Sequence, residues 1–206
     1  MTSKATIGSA KERNGLNPKD FVFIAVFGIL LFLVFMVFSI IFSANANLCW
    51  FTHTVGALFA GTVFMYLAYR VPKRGAIAIM GVIVGAVGLL MGMFWSGPVG
   101  IVVGGIVADL IAGDPQKRTK AKLICAFAAF TFCFWLGQIS LILMMGEAYA
   151  EMCVQAGMTL EYGQTLVNSI LSPMGVVTGA ATIAGGLVGG FIGTKVFSKH
   201  FAKLGM

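Results

Sequence analysis

Apolar residues run through this chain in long unbroken blocks, not in the short alternations of soluble strands or the one-sided stripes of soluble helices. Crossing about 30 Å of hydrocarbon takes roughly 20 helical residues at 1.5 Å each. The first block, residues 21–43, holds no charged residue. Asn17-Pro18 before it supplies an N-cap and a proline at the first helical position, which starts the helix. Further blocks occupy 50–69, 75–94, 97–111, 123–145 and 173–194, the fourth being short and Gly-rich. The pattern predicts an all-α membrane protein of six transmembrane helices. One membrane domain fills 20–198, with tails over 1–19 and 199–206 and no soluble domain. Residues 147–171 are too polar to span and too long for a simple turn. Ala148, Met152 and Gln155-Ala156 predict a short interfacial helix broken at Gly157, then a second stretch before Ser172-Pro173. A long ordered segment of this kind reads as a lid.

Composition sharpens the class. Of 206 residues, 59% are apolar and 10% charged, against roughly 45–50% and 25% in soluble domains. That excludes a water-soluble globule, and the hydrophobicity excludes disorder. A net charge of +7 would point to nucleic acid only if it formed a basic face. Instead all 14 Lys and Arg fall before the first block, after the sixth, and in the connections 70–74 and 117–122, which six crossings put on one side. Glu12, Asp20, Asp109 and Asp114 share that side, leaving +10, and Glu147, Glu151 and Glu161 opposite carry −3. Basic residues mark the cytoplasm, so both termini are expected there, and no nucleic-acid partner is implied. Ala44-Asn45-Ala46 matches a small-x-small cleavage pattern, but the 23 apolar residues before it exceed the roughly 7–15 of a signal peptide.

The 27 glycines have a spacing. Ala181, Gly185, Gly189 and Gly193 recur every fourth residue with Gly186 and Gly190 beside them. Gly100, Gly104 and Ala108 repeat the pattern, as do Gly81-Gly85 and Gly88-Gly92. Small residues at this spacing make flat faces for close helix packing, within the bundle or against a partner protein. The first span is the opposite, with seven phenylalanines around it and only Ala25 and Gly28 breaking the bulk. Such a helix suits lipid or a membrane partner. The run ending Gly193-Thr194-Lys195 is no phosphate loop, because it lacks the Gly-Lys-Ser/Thr order and follows no strand. Any ATP is therefore expected to be used by partner subunits.

Candidate chemistry gathers on the side away from the basic residues. Asn45, Asn47, Cys49, Trp50 and His53 follow the first span, and Met91, Met93, Phe94 and Trp95 close the third. The fifth contributes Gln138 and Met145, with Glu147, Tyr149, Glu151 and Tyr162 over the mouth. Apolar walls with sparse polar anchors are the composition of a small-molecule pocket. The alternative for Trp50 and Trp95 is an interfacial aromatic belt. A primary amide such as Gln138, deep in lipid, must meet protein or ligand. Cys49 and His53 lack a second cluster at metal-ligand spacing, so no resident metal or cofactor is predicted. With Met91, Met145 and Met152 near His53, haem or a metal chelate stays open as a substrate. Cys49 and Cys153 fall on one side, which leaves a disulfide open. Asp109, alone within a span, either pairs with a basic loop or docks a partner. No catalytic pair lies within the spans, so an enzyme is not expected.

The opening helix and three further segments together carry a resemblance: Val71-Pro72-Lys73-Arg74-Gly75, then the stretch 104–112 with Ala108-Asp109-Leu110-Ile111-Ala112, then the glycine run 185–193 with Lys199-His200-Phe201-Ala202-Lys203-Leu204-Gly205. In these the chain resembles the Trep_Strep family of bacterial membrane proteins, itself similar to the substrate-binding S components of energy-coupling factor (ECF) transporters. The resemblance covers nearly everything after the first twenty residues. It implies a six-helix S component in the bacterial cell membrane that captures a micronutrient outside. A transmembrane T component and two ABC ATPases would drive release inside by toppling it. S components touch the T partner through small residues of the first helix, matched here by Ala25 and Gly28, with Asp109 a further coupling candidate. The binding site would lie at the outer ends, and vitamins, tetrapyrroles and metal chelates all fit its composition. The rival from another class is a ligand-free membrane scaffold. Gln138 and the polar lid favour the binder.

Overall fold

The computed structural model describes the backbone of residues 15–201 and the side chains of 15–197. The charges expected at Lys4, Lys11, Glu12, Arg13, Lys199 and Lys203 lie outside those limits. Within them the chain forms eight α-helices and no strand. These are α1 (Pro18–Phe42), α2 (Thr52–Arg70), α3 (Ala76–Leu90), α4 (Ser96–Ala112), α5 (Lys120–Met145), α6 (Ala148–Gln155), α7 (Leu160–Leu171) and α8 (Pro173–Phe201). Asn17 precedes the proline that opens α1, and its N–H donates to Asp20 Oδ2 at 2.7 Å.

Four helices are long and apolar enough to cross a membrane: Pro18–Phe42, Cys49–Arg70, Lys120–Met145 and Pro173–Phe197. The other two expected spans are shorter than the pattern predicts. α3 has 15 residues and α4 has 17, about 22 and 26 Å of helix. The block 75–94 ends early because Gly92, at φ +83°, turns the chain away from the α3 axis. A left-handed residue of this kind is what stops a helix.

Six helices close into a ring in the order α1, α2, α8, α5, α4, α3, and back to α1. Four of its six seams are built on glycine. Gly185, Gly189 and Gly193 of α8 rest on Thr54, Ala57 and Gly61 of α2, while Gly186 and Gly190, one residue further round, rest on Ala128 and Ile124 of α5. Gly100 meets Gly137 between α4 and α5, and Gly81 meets Gly105 between α3 and α4. A methyl built on Gly81 would stand 2.8 Å from the Gly105 Cα, so these backbones touch directly. The fourfold spacing is thus spent inside the molecule.

Helix α1 joins differently. Ile24, Leu31, Phe32 and Phe35 bury one face against the bundle, and Val22, Val26, Leu33 and Val37 stay exposed on the other. The expectation of a helix given over wholly to lipid or a partner is corrected on the buried face, where Phe35 covers Gly56 and meets Phe134. Helices α6 and α7 form a hairpin that packs on α5 and α8 at one end of the ring. The break between them is at Gly157, φ +89°, so the lid has the two-part form its sequence predicts. The end it covers is the lid end. Arg70 at the end of α2, and Lys73, Arg74, Lys117 and Arg118 in the connections, lie at the other.

Candidate functional site

The short α3 and α4 create a space at the lid end. A methyl on Gly97, in the first turn of α4, would sit 3.4 Å from Gln138 Cγ, so α4 begins at the level of Gln138. Helix α5 continues seven residues beyond, to Met145, about 10 Å. That difference in height leaves a cup under α6 and α7. Two adjoining cavities fill it, an inner one of about 120 Å³ and an outer one of about 380 Å³. They share Ser39, Cys49, Met93 and Gln138 as walls.

The inner cavity is lined by Phe32, Phe35, Met36, Thr52, His53, Met91 and Phe134 in addition to the shared residues. His53 is 2% exposed, in the first turn of α2. Its ring stands edge-on to Phe134 at 4.7 Å between centroids. Neither ring nitrogen has a hydrogen-bond partner of good geometry, the Trp50 carbonyl one turn earlier being the polar group beside it. Thr52 Oγ1 is buried and unpaired in the same way, as are Trp50 Nε1 and Ser96 Oγ on the outer cavity. The Gln138 amide, on both cavities, makes no hydrogen bond within the described residues. A buried polar group without a partner costs about 1–3 kcal/mol, and the large majority in folded proteins have one. Several such atoms gather around this one space.

The lid closes over this space by its own bonds. Tyr162 Oη donates to the Ser43 carbonyl at 2.7 Å, tying α7 to the end of α1, and Ser169 Oγ lies 3.4 Å from Asn47 Oδ1. Burial pushes the Tyr149 and Tyr162 phenols and the Cys153 thiol above their ordinary values, so the underside of the lid is polar but neutral. All four cysteines are free thiols, Cys49 and Cys153 included. No group of three or more His, Cys, Asp or Glu gathers among the described residues.

Of the residues singled out from sequence, Trp50, His53, Met91 and Gln138 come together on these cavities. Trp50 is 3% exposed within a cluster with Trp135 and Tyr149, so the belt reading does not hold for it. Trp95, 55% exposed, points outward. Asn45 and Asn47 shape the turn after α1, where Asn45 Oδ1 accepts from the Asn47 N–H at 2.9 Å. Met145, Glu147 and Glu151 are exposed beside the lid and line neither cavity. Sequence reasoning passed over Ser39, Thr52, Phe32, Phe35 and Phe134 as site residues. Ser39 carried a signal, being the one polar side chain in residues 21–42.

The coupling candidates lie elsewhere. Gly28 is buried against Met80 and Val84 of α3, and so belongs to no exposed face of α1; Ala25 beside it is half-buried. Asp109 is engaged at the end away from the lid. Its carboxylate accepts from the Gly75 and Ile77 N–H groups at 2.9 and 3.3 Å, capping α3, and faces Arg118 Nη2 at 3.8 Å. Arg118 also donates to the Lys73 carbonyl, and Lys73 Nζ reaches Asp20 at 2.7 Å. This chain of contacts ties α1, α3 and α4 together.

A ring of apolar helices joined through glycine and capped over a lined cavity defines a helical, multi-pass integral membrane protein. The chain belongs to the Trep_Strep family, described as hypothetical bacterial integral membrane proteins, whose model matches residues 18–203. No curated protein and no solved structure matches it significantly.

Proposed function

We propose that this protein is the substrate-binding component of an ECF-type importer, capturing a small micronutrient at the outer face of the membrane. The observation that carries the reading is the set of buried, unpaired polar atoms on Trp50, Thr52, His53 and Ser96 around one lidded cavity. A ligand-free scaffold does not call for buried polar atoms gathered on a lidded cavity, whereas a polar ligand can meet them. In this reading all six ring helices cross the membrane, the connections of α3 and α4 making up their shortfall and the bilayer thinning to meet them. The basic end is cytoplasmic, both termini lie there, and the lid faces outward. The chain has no nucleotide-binding loop of its own, so a T component and two ABC ATPases supply the energy.

The test is to purify the full-length tagged protein from its own host membranes. Co-purifying proteins are identified by proteomics, and bound small molecules by native mass spectrometry. The expected result is a T component, two ATPases and a stoichiometric ligand. A preparation that is reproducibly empty and carries no ATPase refutes the importer and leaves the scaffold.

A further inference from the structure

The inner cavity says what kind of ligand it takes. At about 120 Å³ it approaches the ~150 Å³ of an engineered apolar cavity that accepts one benzene. Its walls are set for a flat ring. Phe134 stands edge-on to both Phe35 and His53, at 5.4 and 4.7 Å, and Met36 and Met93 line the same space, flexible side chains that make favourable contacts with aromatic carbon.

The polar atoms narrow the choice. Thr52 Oγ1 and both His53 nitrogens are buried without good partners, and Gln138 offers a carbonyl and an NH₂ together. A hydrocarbon would leave all of these unmatched. The ring must therefore carry both a donor and an acceptor. Charge narrows it again. No Asp, Glu, Lys or Arg lines either cavity, and the charged groups of the lid helices and the turn before them are Glu147, Glu151 and Glu161. A carboxylate or phosphate entering here would lose its water, find no counter-charge and be repelled at the mouth.

We propose that the inner cavity is a subsite for an uncharged, planar aromatic or heteroaromatic ring bearing a hydrogen-bond donor and acceptor. Phe134 and His53 supply aromatic walls for it, and Gln138 reads its polar substituent. The proposal rests on the substrate-binding reading and narrows the substrate to compounds that contain such a ring, with any charged portion kept outside this cavity.

Three probes of similar size test it on the full-length protein in detergent: benzamide, its anionic isostere benzoate, and cyclohexanecarboxamide, which keeps the amide and loses the flat ring. Binding is read by saturation-transfer NMR and by the shift in thermal unfolding. Benzamide is expected to saturate, with benzoate and cyclohexanecarboxamide at least tenfold weaker. Gln138→Leu, checked for folding by its own unfolding temperature, should weaken benzamide at least tenfold. Benzoate or cyclohexanecarboxamide binding as well as benzamide overturns the proposal, and so does the absence of saturation by any probe. The wild-type comparison stands even where the variant misfolds. The purification experiment separates the two claims. A ringless ligand arriving with the ATPases defeats the subsite and keeps the importer, whereas benzamide binding with no ATPase does the reverse.

Discussion

Replacing Gly137 by alanine adds one methyl group at the seam between α4 and α5. The methyl would stand 2.6 Å from the Gly100 Cα and 2.7 Å from the Ser96 carbonyl oxygen, against about 3.5–4.0 Å for a comfortable carbon contact. Both obstacles are backbone, so no side chain can swing aside and the helices must part by about 1 Å. Overpacking of this kind costs about 1–3 kcal/mol. A gap of 0.5–1 Å along the rest of the seam also forfeits a quarter to a half of each contact it opens. Against this, alanine regains up to about 1 kcal/mol of helix propensity. The clash wins, with a net loss of about 1–2 kcal/mol. For a chain of this size that lowers the midpoint of thermal unfolding by about 2–8 °C. Trp50 and Trp135 are buried at the lid end, so intrinsic fluorescence of the protein in detergent follows the transition. Ala184→Leu, on an exposed face of α8, is the control and should leave the midpoint unchanged. Adding Gly100→Ala should cost less in the double variant than alone, because the seam is already open. A Gly137→Ala protein as stable as wild type would refute the backbone-contact reasoning.

The remaining predictions concern the two ends of the bundle. Asp109→Ala removes the acceptor for two N–H groups at the start of α3 and the charge beside Arg118; thermal unfolding should register a loss of about 1–3 kcal/mol, and Asp109→Asn a smaller one. Tyr162→Phe deletes the lid tie to Ser43, worth about 0.5–1.5 kcal/mol. Hydrogen exchange should then quicken in α6 and α7 and stay unchanged in α2 and α8; equal change everywhere contradicts a local latch. Cys153 is wholly buried, and burial raises its thiol, so at neutral pH it carries less thiolate than an exposed cysteine does and gains it only as pH rises. A water-soluble maleimide should spare Cys153 at pH 7 in wild type and reach it in Tyr162→Phe, which mass mapping of the labelled peptide decides.

What was legible in the sequence follows from which forces act locally. The ring helices and the two-part lid could be read because uninterrupted apolar runs, Asn17-Pro18 and Gly157 act within a few residues of themselves. The lengths of α3 and α4 could not. A run such as 75–94 looks uniform, and only the left-handed Gly92 decides where the helix stops. Half of the site was visible for a similar reason. Trp50, His53 and Gln138 stand out as polar or amphipathic groups in apolar surroundings. Phe32, Phe35 and Phe134 are spelled like any other core residue, and their role depends on which way α1 and α5 face. Asp109 was conspicuous as the one acid in a span, yet its partners, Gly75, Ile77 and Arg118, come from other elements that no spacing within α4 reveals.

The unlike seams of the ring have a mechanical result. Where glycine sets one backbone on another, between α2, α8, α5, α4 and α3, the separation is tightly set and the five helices act as one stiff plate. Where α1 meets the rest, phenylalanine rings lie on phenylalanine and tyrosine rings, as Phe27 does on Tyr66 and Phe38 on Phe59. Rings have alternative rotamers, and an interface made of them can slide between discrete packings without breaking a main-chain contact. Phe32, Phe35, Met36 and Ser39, one whole wall of the inner cavity, ride on that helix. One wall of the chamber is thus held in place by interlocking rings, and the rest of it belongs to the glycine-packed helices and their connections.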